Sequence, residues 1–361
     1  MKSDNKNTKT IKAYRNRINF KTKFNTNKNF RYLIKLSSSI IIILLLFFSL
    51  TKTKISQENF KFNYFACFGA IARRENLYIR DLISYYLSIG FEKFILGDNN
   101  FPNIEKLSDV LQDYINSSIV DIIEVYGSSI SQNEFYGIIY EKYKTKCSWI
   151  SFFDIDEYLQ MHLENNKSIT IKGYLSNSIF EKCEAICINW LIYPDNNLLY
   201  YDNRSVLERF TSPNYQHKEN RLVKSIVRGN LNKKIFYKSR LNLHVPDRSV
   251  FICNSMGKRL IHYDSMYINP PLLKYAYLMH FTTKTVEEYI NKIKRGEIGN
   301  EAYNITNRIE IFFQLNNFTN EKLKMFENAF NRSFDQFRNY KNSYVKVNID
   351  IIWFLSILFF Y

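Results

Sequence analysis

Trp149–Leu159 reads WISFFDIDEYL, and this stretch decides how the rest of the chain is organised. Its first five residues carry no charge, the pattern of a strand buried on both faces. Such a strand belongs inside a sheet covered by helices. It runs straight into Asp154-Ile155-Asp156-Glu157, where three carboxylates occupy four positions. Carboxylates so crowded repel one another unless a cation is near. Asp154 and Asp156, at i and i+2, can converge on one hard cation once the backbone turns. Such a cation takes oxygen ligands and bridges readily to diphosphate oxygens. An acid-rich surface turn would match the same letters, but the buried strand before it argues for a ligand-presenting position.

Upstream, Asn63–Ile71 (NYFACFGAI) reads as another buried strand. Glu75–Ile89 places Leu77, Leu82, Ile83, Tyr86 and Leu87 at helical spacing, and Gly90 closes that helix. Lys93–Leu96 predicts a second strand, ending in the turn residues Gly97-Asp98-Asn99-Asn100. Ile104–Ile115 predicts a helix and Val120–Val125 a third strand. Ser131–Lys144 predicts a helix with Ser131 as N-cap and Glu134 completing a capping box. This alternation predicts an α/β/α sandwich around a mostly parallel sheet. Ligands bind such sheets beyond the carboxyl ends of the strands, so Asp98 and Asp154 should lie along one edge. Downstream, Ala185–Leu191 and Leu222–Val227 read as strands and Glu287–Lys294 as a helix. Ile351–Tyr361 is apolar but short for a membrane span and reads as packed or peripheral.

The 361 residues are 46% hydrophobic and 23% charged, a globular rather than disordered composition. The net charge of +16 is concentrated: residues 1–35 hold eleven Lys/Arg against Asp4, so +10 of it lies in that tail. The body is therefore not a basic nucleic-acid-binding surface. Leu36–Leu50 (LSSSIIIILLLFFSL) follows the tail without a charge, and extending back to Tyr32 brings the run near the ~20 residues a spanning helix needs. Because Lys/Arg lie before this segment, the tail is expected in the cytoplasm and the body across the membrane. The expected organisation is a basic tail (1–35), an anchor (36–50), a stem (51–61), a catalytic body (62–300) and a helical or apolar extension (301–361). Six Asn-x-Ser/Thr sequons, at Asn116, Asn166, Asn203, Asn304, Asn317 and Asn331, fit a luminal body. The five cysteines show no metal-site spacing and read as buried small hydrophobes. In a strand Cys183 and Cys187 would lie ~13 Å apart, too far to bond to each other.

Several separated segments together resemble one family. Arg73-Arg74-Glu75-Asn76-Leu77-Tyr78-Ile79-Arg80-Asp81-Leu82 is similar to an opening K-N-E-x-x-Y-L-x-E-W. Leu87–Asn99 is similar to IG followed by an F-x-x-x-D-N ending, and WISFFDIDEYL to W-x-x-F-x-D-x-D-E-F/Y-L. His280-Phe281-Thr282-Thr283-Lys284-Thr285-Val286-Glu287-Glu288-Tyr289, with Lys292 and Arg295-Gly296, resembles a closing H-Y/F-x-x-K-S/T-x-E-E-F…K…R-G. The chain thus resembles glycosyltransferase family 92, the DUF23 group, related to the GT-A family 2 enzymes. The resemblance runs from about Phe62 to Gly299. Arg74 stands where Asn is usual, and Tyr193-Pro194-Asp195-Asn196 falls where the family carries a Gly-Ser-rich loop.

The resemblance implies a GT-A fold and a metal-dependent transferase, here membrane-anchored and inverting. It would move a sugar from a UDP- or GDP-sugar to a glycan or glycoconjugate. Asp154 and Asp156 would hold Mn²⁺ or Mg²⁺, whose Lewis acidity stabilises a departing diphosphate. His280 is either the third ligand or a core histidine. Asp98 would bind base or ribose. Arg73, Lys224 and Lys284 would lie near the donor phosphates, unless they are ordinary solvated cations. An inverting enzyme needs a base, for which Glu157, Asp195 and Glu208 are the candidates. A catalytically silent binding protein on the same scaffold is the alternative. A nucleotidyltransferase would show a Gly-rich phosphate loop after the first strand, where only Gly69 stands. The anchor implies a Golgi membrane in a eukaryote and the cell membrane otherwise. In sealed vesicles the body should be protected from protease added on the cytosolic side; its digestion there would refute the topology.

Overall fold

The computed structural model describes residues 61–338, except 102, 127–129, 163–168, 233–234, 237–248, 261–266 and 297–303. The chain divides into Met1–Lys61 and Phe62–Tyr361, and every strand and helix named below belongs to the second unit. The expected anchor at 36–50 and the apolar run at 351–361 lie outside the described residues. No described helix is long and apolar enough to cross a membrane.

The described strands form one mixed sheet. β1 (Tyr64–Ala72), β2 (Lys93–Asp98), β3 (Val120–Glu124) and β4 (Cys147–Phe152) are parallel, in the order β3-β2-β1-β4. β7 (Val223–Arg228) runs antiparallel to β4, and β6 (Ala185–Ile192) antiparallel to β7. The first half of β6 pairs in parallel with β8 (Ile252–Asn254), and its second half with β9 (Ala276–His280). β5 (Glu157–Met161) closes the order, antiparallel to β9. The sheet is thus mostly parallel, as the alternation predicts, and mixed beyond β4.

The parallel half forms for the reasons legible in its sequence. α1 (Asn76–Ser88) and α2 (Ser108–Asn116) pack Ile79, Leu82, Ile83, Tyr86 and Leu111 on the sheet face that carries Ala66, Phe68, Phe94 and Leu96. α3 (Gln132–Tyr143) covers the opposite face with Phe135, Tyr136, Ile139 and Tyr140 against Cys67, Ile95 and Ile150. Period-two alternation sends successive side chains to opposite faces. Strands buried on both faces therefore read as unbroken apolar runs. The Ser131–Glu134 capping box forms as the sequence predicts. Gly90 adopts φ +96°, the left-handed conformation that lets the chain leave α1 without a Cβ clash. α2 starts at Ser108 rather than Ile104, because Asp98 accepts the Leu107 N–H and holds the preceding residues in a loop.

The second half of the sheet curls. Phe152 and Glu157 are five residues apart, a reach of at most ~18 Å when fully extended. Their strands are four places apart in the sheet, ~19 Å if it were flat. The connection is also a tight turn, with the Glu157 N–H donating to the Asp154 carbonyl at 3.2 Å. Only a curled sheet meets both conditions. α6 (Val286–Arg295), α7 (Ile305–Leu315) and α8 (Asn320–Phe330) form a further apolar cluster around Tyr289, Phe312 and Phe326.

The cysteine expectation needs correction. Cys67–Cys147 and Cys183–Cys253 are disulfides, and Cys187 alone is a free, buried thiol. The partners lie 80 and 70 residues apart in sequence and meet only through β1–β4 and β6–β8 pairing. Cys183 and Cys187 are not bonded to each other, as the spacing argument requires.

Gly97 in β2 lies under the Phe135 ring, so a Cβ there would come 2.5 Å from that ring. Gly97→Ala should destabilise the body by about 1–3 kcal/mol in denaturant melts. Adding Phe135→Leu should recover part of that loss; additive penalties would disprove the contact.

Candidate active site

The Asp154–Glu157 turn sits where β4 ends, and Asp98 ends β2, which lies on the other side of β1 in the same parallel set. They share the carboxyl edge of the sheet, as expected. The two carboxylates of Asp154-x-Asp156 take different partners. Asp154 faces β7 and α3: Lys224 Nζ donates to its Oδ2 at 2.7 Å and Gln132 Nε2 to its Oδ1 at 2.7 Å. Asp156 faces β9 and α6. Its Oδ2 accepts from Lys292 Nζ at 2.8 Å, and its Oδ1 lies 3.5 Å from His280 Nε2. Burial disfavours the Asp156 anion, yet Lys292, His280 and Lys284 together outweigh it and hold the carboxyl well below the usual range. Asp156 is therefore a dependable anion.

Glu157, fully buried, is different. Its Oε2 accepts the Asp154 N–H at 2.8 Å, bracing the turn from within. Burial pushes its carboxyl well above the ordinary value; Lys224 opposes this, while Asp154 and Asp156 reinforce it. Lys224, also fully buried, lies 3.7 Å from Glu157 Oε1. Burial would lower its ammonium, but Asp154 above all holds it above the usual lysine range. It is a fixed structural cation rather than a solvated one.

The remaining sequence-derived residues scatter. Both Asp98 oxygens accept backbone N–H groups, from Asn100 at 3.0 Å and Leu107 at 2.8 Å, so the carboxylate shapes the loop at the sheet edge. Arg73 stacks its guanidinium over Phe101 at 4.8 Å. Asp195 lies 2.6 Å from Lys322 of α8, both buried, and serves to dock the C-terminal helices. Glu208 is exposed and completes the capping box of α5 (Val206–Arg209) with Ser205. Neither Asp195 nor Glu208 joins the cluster around Asp156. Trp190 does, its ring centroid 4.2 Å from that of His280.

Beside Asp156 lies a cavity of about 300 Å³, lined by the turn after β1, the turn after β9 and α6. Lys284 contributes to it from a left-handed backbone (φ +53°) and rests 4.3 Å from the Tyr78 ring. Burial lowers its ammonium below the usual lysine value, with Glu75 and Asp156 opposing. Of the cations that line it, Arg74, Lys292, Lys294 and Arg295 were not singled out as site residues from sequence. A signal for two of them existed: Glu288, Lys292 and Arg295 recur at i, i+4 and i+7, one face of a helix.

A divalent cation fits this arrangement in part. Ligand bonds of ~2.1 Å at the right angle of an octahedral site place two neighbouring donors about 3.0 Å apart, somewhat shorter than the 3.5 Å between Asp156 Oδ1 and His280 Nε2. His280 Nδ1 is buried and has no hydrogen-bond partner among the described residues. Asp154 is held by Lys224 and Gln132, and no three His, Cys, Asp or Glu side chains group so as to hold a metal ion among the described residues. Mg²⁺ and Mn²⁺ are commonly bound through one or two carboxylates, with substrate phosphates and waters completing the shell. The Asp156–His280 pair meets that requirement.

No family model matches the chain, and no curated protein matches it. Among solved structures it is similar to S. aureus TarS. The TarS 1–349 crystal structure matches at 11% identity over 77% of this chain and 72% of that one, with a TM-score of 0.33. The UDP-GlcNAc complex of TarS 1–349 matches at 11% over 73% of this chain and 66% of that one, TM-score 0.35. The crystal structure described simply as TarS matches at 11% over 73% of this chain and 49% of that one, TM-score 0.33. This chain thus spans about half the length of that TarS chain. The functional reading stands on the residues of the chain's own site.

Because the folded protein holds the Glu157 proton more tightly than the unfolded chain, its contribution to stability is complete below the ordinary glutamate range. It is lost as pH rises through the folded value. Glu157→Gln should remove that slope. Between about pH 5 and pH 8 the melting temperature of the variant should gain on wild type; a constant difference would contradict the buried, proton-retaining glutamate.

Proposed function

We propose that this chain is a metal-dependent glycosyltransferase, of the family 92 group and GT-A architecture. It would transfer a sugar from a UDP- or GDP-sugar to a glycan or glycoconjugate. The observation that carries this reading is the Asp156–His280 pair at the carboxyl edge of the sheet, with Lys292 keeping Asp156 ionised beside a basic cavity. When bound there, Mn²⁺ or Mg²⁺ would stabilise the charge of the departing diphosphate. The protein's own residues do the rest. Lys224 anchors Asp154 and braces the turn through Glu157, and Asp98 fixes the loop that faces the base or ribose. Burial of the turn under α1, where Tyr86 donates to the Glu157 carbonyl at 2.8 Å, limits water at the site.

A membrane-anchored body on the trans side, in the Golgi or at the cell surface, is part of the proposal. Two disulfides support an oxidising compartment. The described sequon residues Asn116, Asn203, Asn304, Asn317 and Asn331 are all exposed, as glycan attachment requires. One observation favours the alternative of a silent binding protein. Glu157 is sealed and proton-retaining, Asp195 is held by Lys322 and Glu208 caps a helix, so each base candidate for an inverting reaction is already engaged.

The two readings separate on one assay. The full-length chain is incubated with a panel of UDP- and GDP-sugars, with and without Mn²⁺, and donor turnover is followed. Mn²⁺-dependent turnover supports the transferase. Asp156→Asn, normalised to its folded fraction, should then lower turnover at least ~100-fold, since the loss removes a few kcal/mol of leaving-group stabilisation. Donor binding without turnover supports the silent protein. Full Mn²⁺-dependent turnover by Asp156→Asn would defeat the assignment of the site.

A further inference from the structure

β5 is the last strand in the sheet order and pairs on one side only, with β9. In an antiparallel pair alternate residues turn their backbone groups away from the partner. The Asp156 carbonyl accepts the Phe281 N–H at 2.9 Å, and the His162 N–H donates to the Tyr275 carbonyl at 2.9 Å, both on the β9 side. Glu157 and Leu159 are therefore among the residues that turn outward. Both are fully buried, so water does not serve their backbone groups. A buried backbone group without a partner is costly.

Among the described residues no strand supplies the partners; two tyrosines of α1 do. The Tyr86 hydroxyl donates to the Glu157 carbonyl at 2.8 Å and accepts the Leu159 N–H at 3.1 Å. The Tyr85 hydroxyl donates to the Leu159 carbonyl at 2.7 Å. A phenol both donates and accepts, so one oxygen of Tyr86 does the work of an adjacent strand. Its ring packs against Phe68, centroids 4.6 Å apart, and against Phe91 at 4.9 Å. A phenylalanine would fill that space equally. Packing does not call for the hydroxyl; the two backbone groups do.

The far end of α1 is fixed as well. Tyr78 donates to Glu288 Oε1 at 2.8 Å, and Glu75, at the N-cap, pairs with Arg295. Both partners belong to α6, the helix whose Lys292 holds Asp156. α1 thus ties β5 to α6, and Asp156 closes the ring between them. Asp156 immediately precedes β5, and Glu157 lies opposite His280 in the β5–β9 register. Any displacement of β5 relative to β9 changes the separation of Asp156 from His280.

We infer that Tyr86 is a positioning residue for the site: its hydroxyl closes the free edge of β5 and so holds Asp156 against His280. It acts through the β5 backbone. The inference rests on the transferase reading only for what the Asp156–His280 pair is used for.

The test is hydrogen exchange of the full-length, metal-free chain, resolved to single amides, in wild type, Tyr86→Phe and Gly97→Ala. Tyr86→Phe removes one oxygen and keeps the ring. Gly97→Ala weakens the body from β2, far from β5 in the sheet order, and the two variants are compared at equal loss of stability. Exchange of the Leu159 amide should quicken about tenfold in Tyr86→Phe relative to Gly97→Ala, the equivalent of one lost hydrogen bond. The Phe281 amide, which donates to Asp156, should quicken about threefold. Tyr85→Phe should move the same amides less, and decides the question should Tyr86→Phe not fold. In a Mn²⁺ titration Tyr86→Phe should bind about tenfold more weakly, and Gly97→Ala as the wild type does. If Leu159 responds and Phe281 does not, or if Mn²⁺ affinity is unchanged, Tyr86 closes the edge without positioning the site and the inference is overturned. Equal effects in Gly97→Ala overturn it too, since general destabilisation then explains them. If both amides respond but the wild type binds no Mn²⁺, the positioning of Asp156 stands and the metal-dependent transferase reading falls.

Discussion

Three carboxylates in a four-residue turn, at the end of a strand with no solvent on either face, can be folded only if cations arrive with them. Lys224 and Lys292 supply that compensation from opposite sides, one from a neighbouring strand and one from a helix over a hundred residues downstream. In each pair one partner is buried and the other partly exposed, so removing the exposed partner leaves a buried charge without its counter-ion. The turn therefore fixes where β7, β9 and α6 must lie. The same division of labour separates the roles of the acids: Asp154 is tied to the scaffold, Asp156 is kept charged at the sheet edge, and Glu157 is sealed beneath them.

The C-terminal part of the body is held to the sheet by paired charges as well as by its apolar cluster. Arg209 and Glu288 are both buried and joined through two hydrogen bonds, and Asp195 meets Lys322. These pairs set the position of α6, and α6 carries Lys292 and Arg295 to the cavity. Packing far from the sheet edge thus governs the electrostatics at it. It also accounts for two residues that resemble catalytic acids in sequence. Asp195 and Glu208 sit near the right segments, but their charges are used in docking helices and in capping one.

The charge layout bears on how a donor would be handled. Under the proposed function, the carboxylate–histidine pair would hold the metal, and the electropositive cavity beside it would offset the charge of the donor. The resemblance to family 92 segments and this geometry meet at the same residues, Asp156, His280 and Lys284. The departures from the family pattern, Arg74 and the Tyr193–Asn196 loop, fall respectively on the cavity rim and on the stretch that leads to the Asp195–Lys322 pair.

The sequence alone determined the parallel half of the body, because β1, β2 and β4 are buried on both faces and their helices are capped by local signals such as Ser131–Glu134 and Gly90. It also located Asp98 and Asp154 on one edge, since both end parallel strands. It did not disclose β5 and β9, whose short apolar runs become strands by pairing with each other across more than a hundred residues, and β9 with β6 as well. Nor did it reveal the disulfides, whose partners are 70 and 80 residues apart. The separate partners of Asp154 and Asp156 were equally hidden: spacing at i and i+2 does not say which cations reach the two carboxylates, and Lys224 and Lys292 come from β7 and α6. Local structure follows from periodicity and capping, which short segments contain. The site depends on long-range charge pairing, which only the closed tertiary structure supplies.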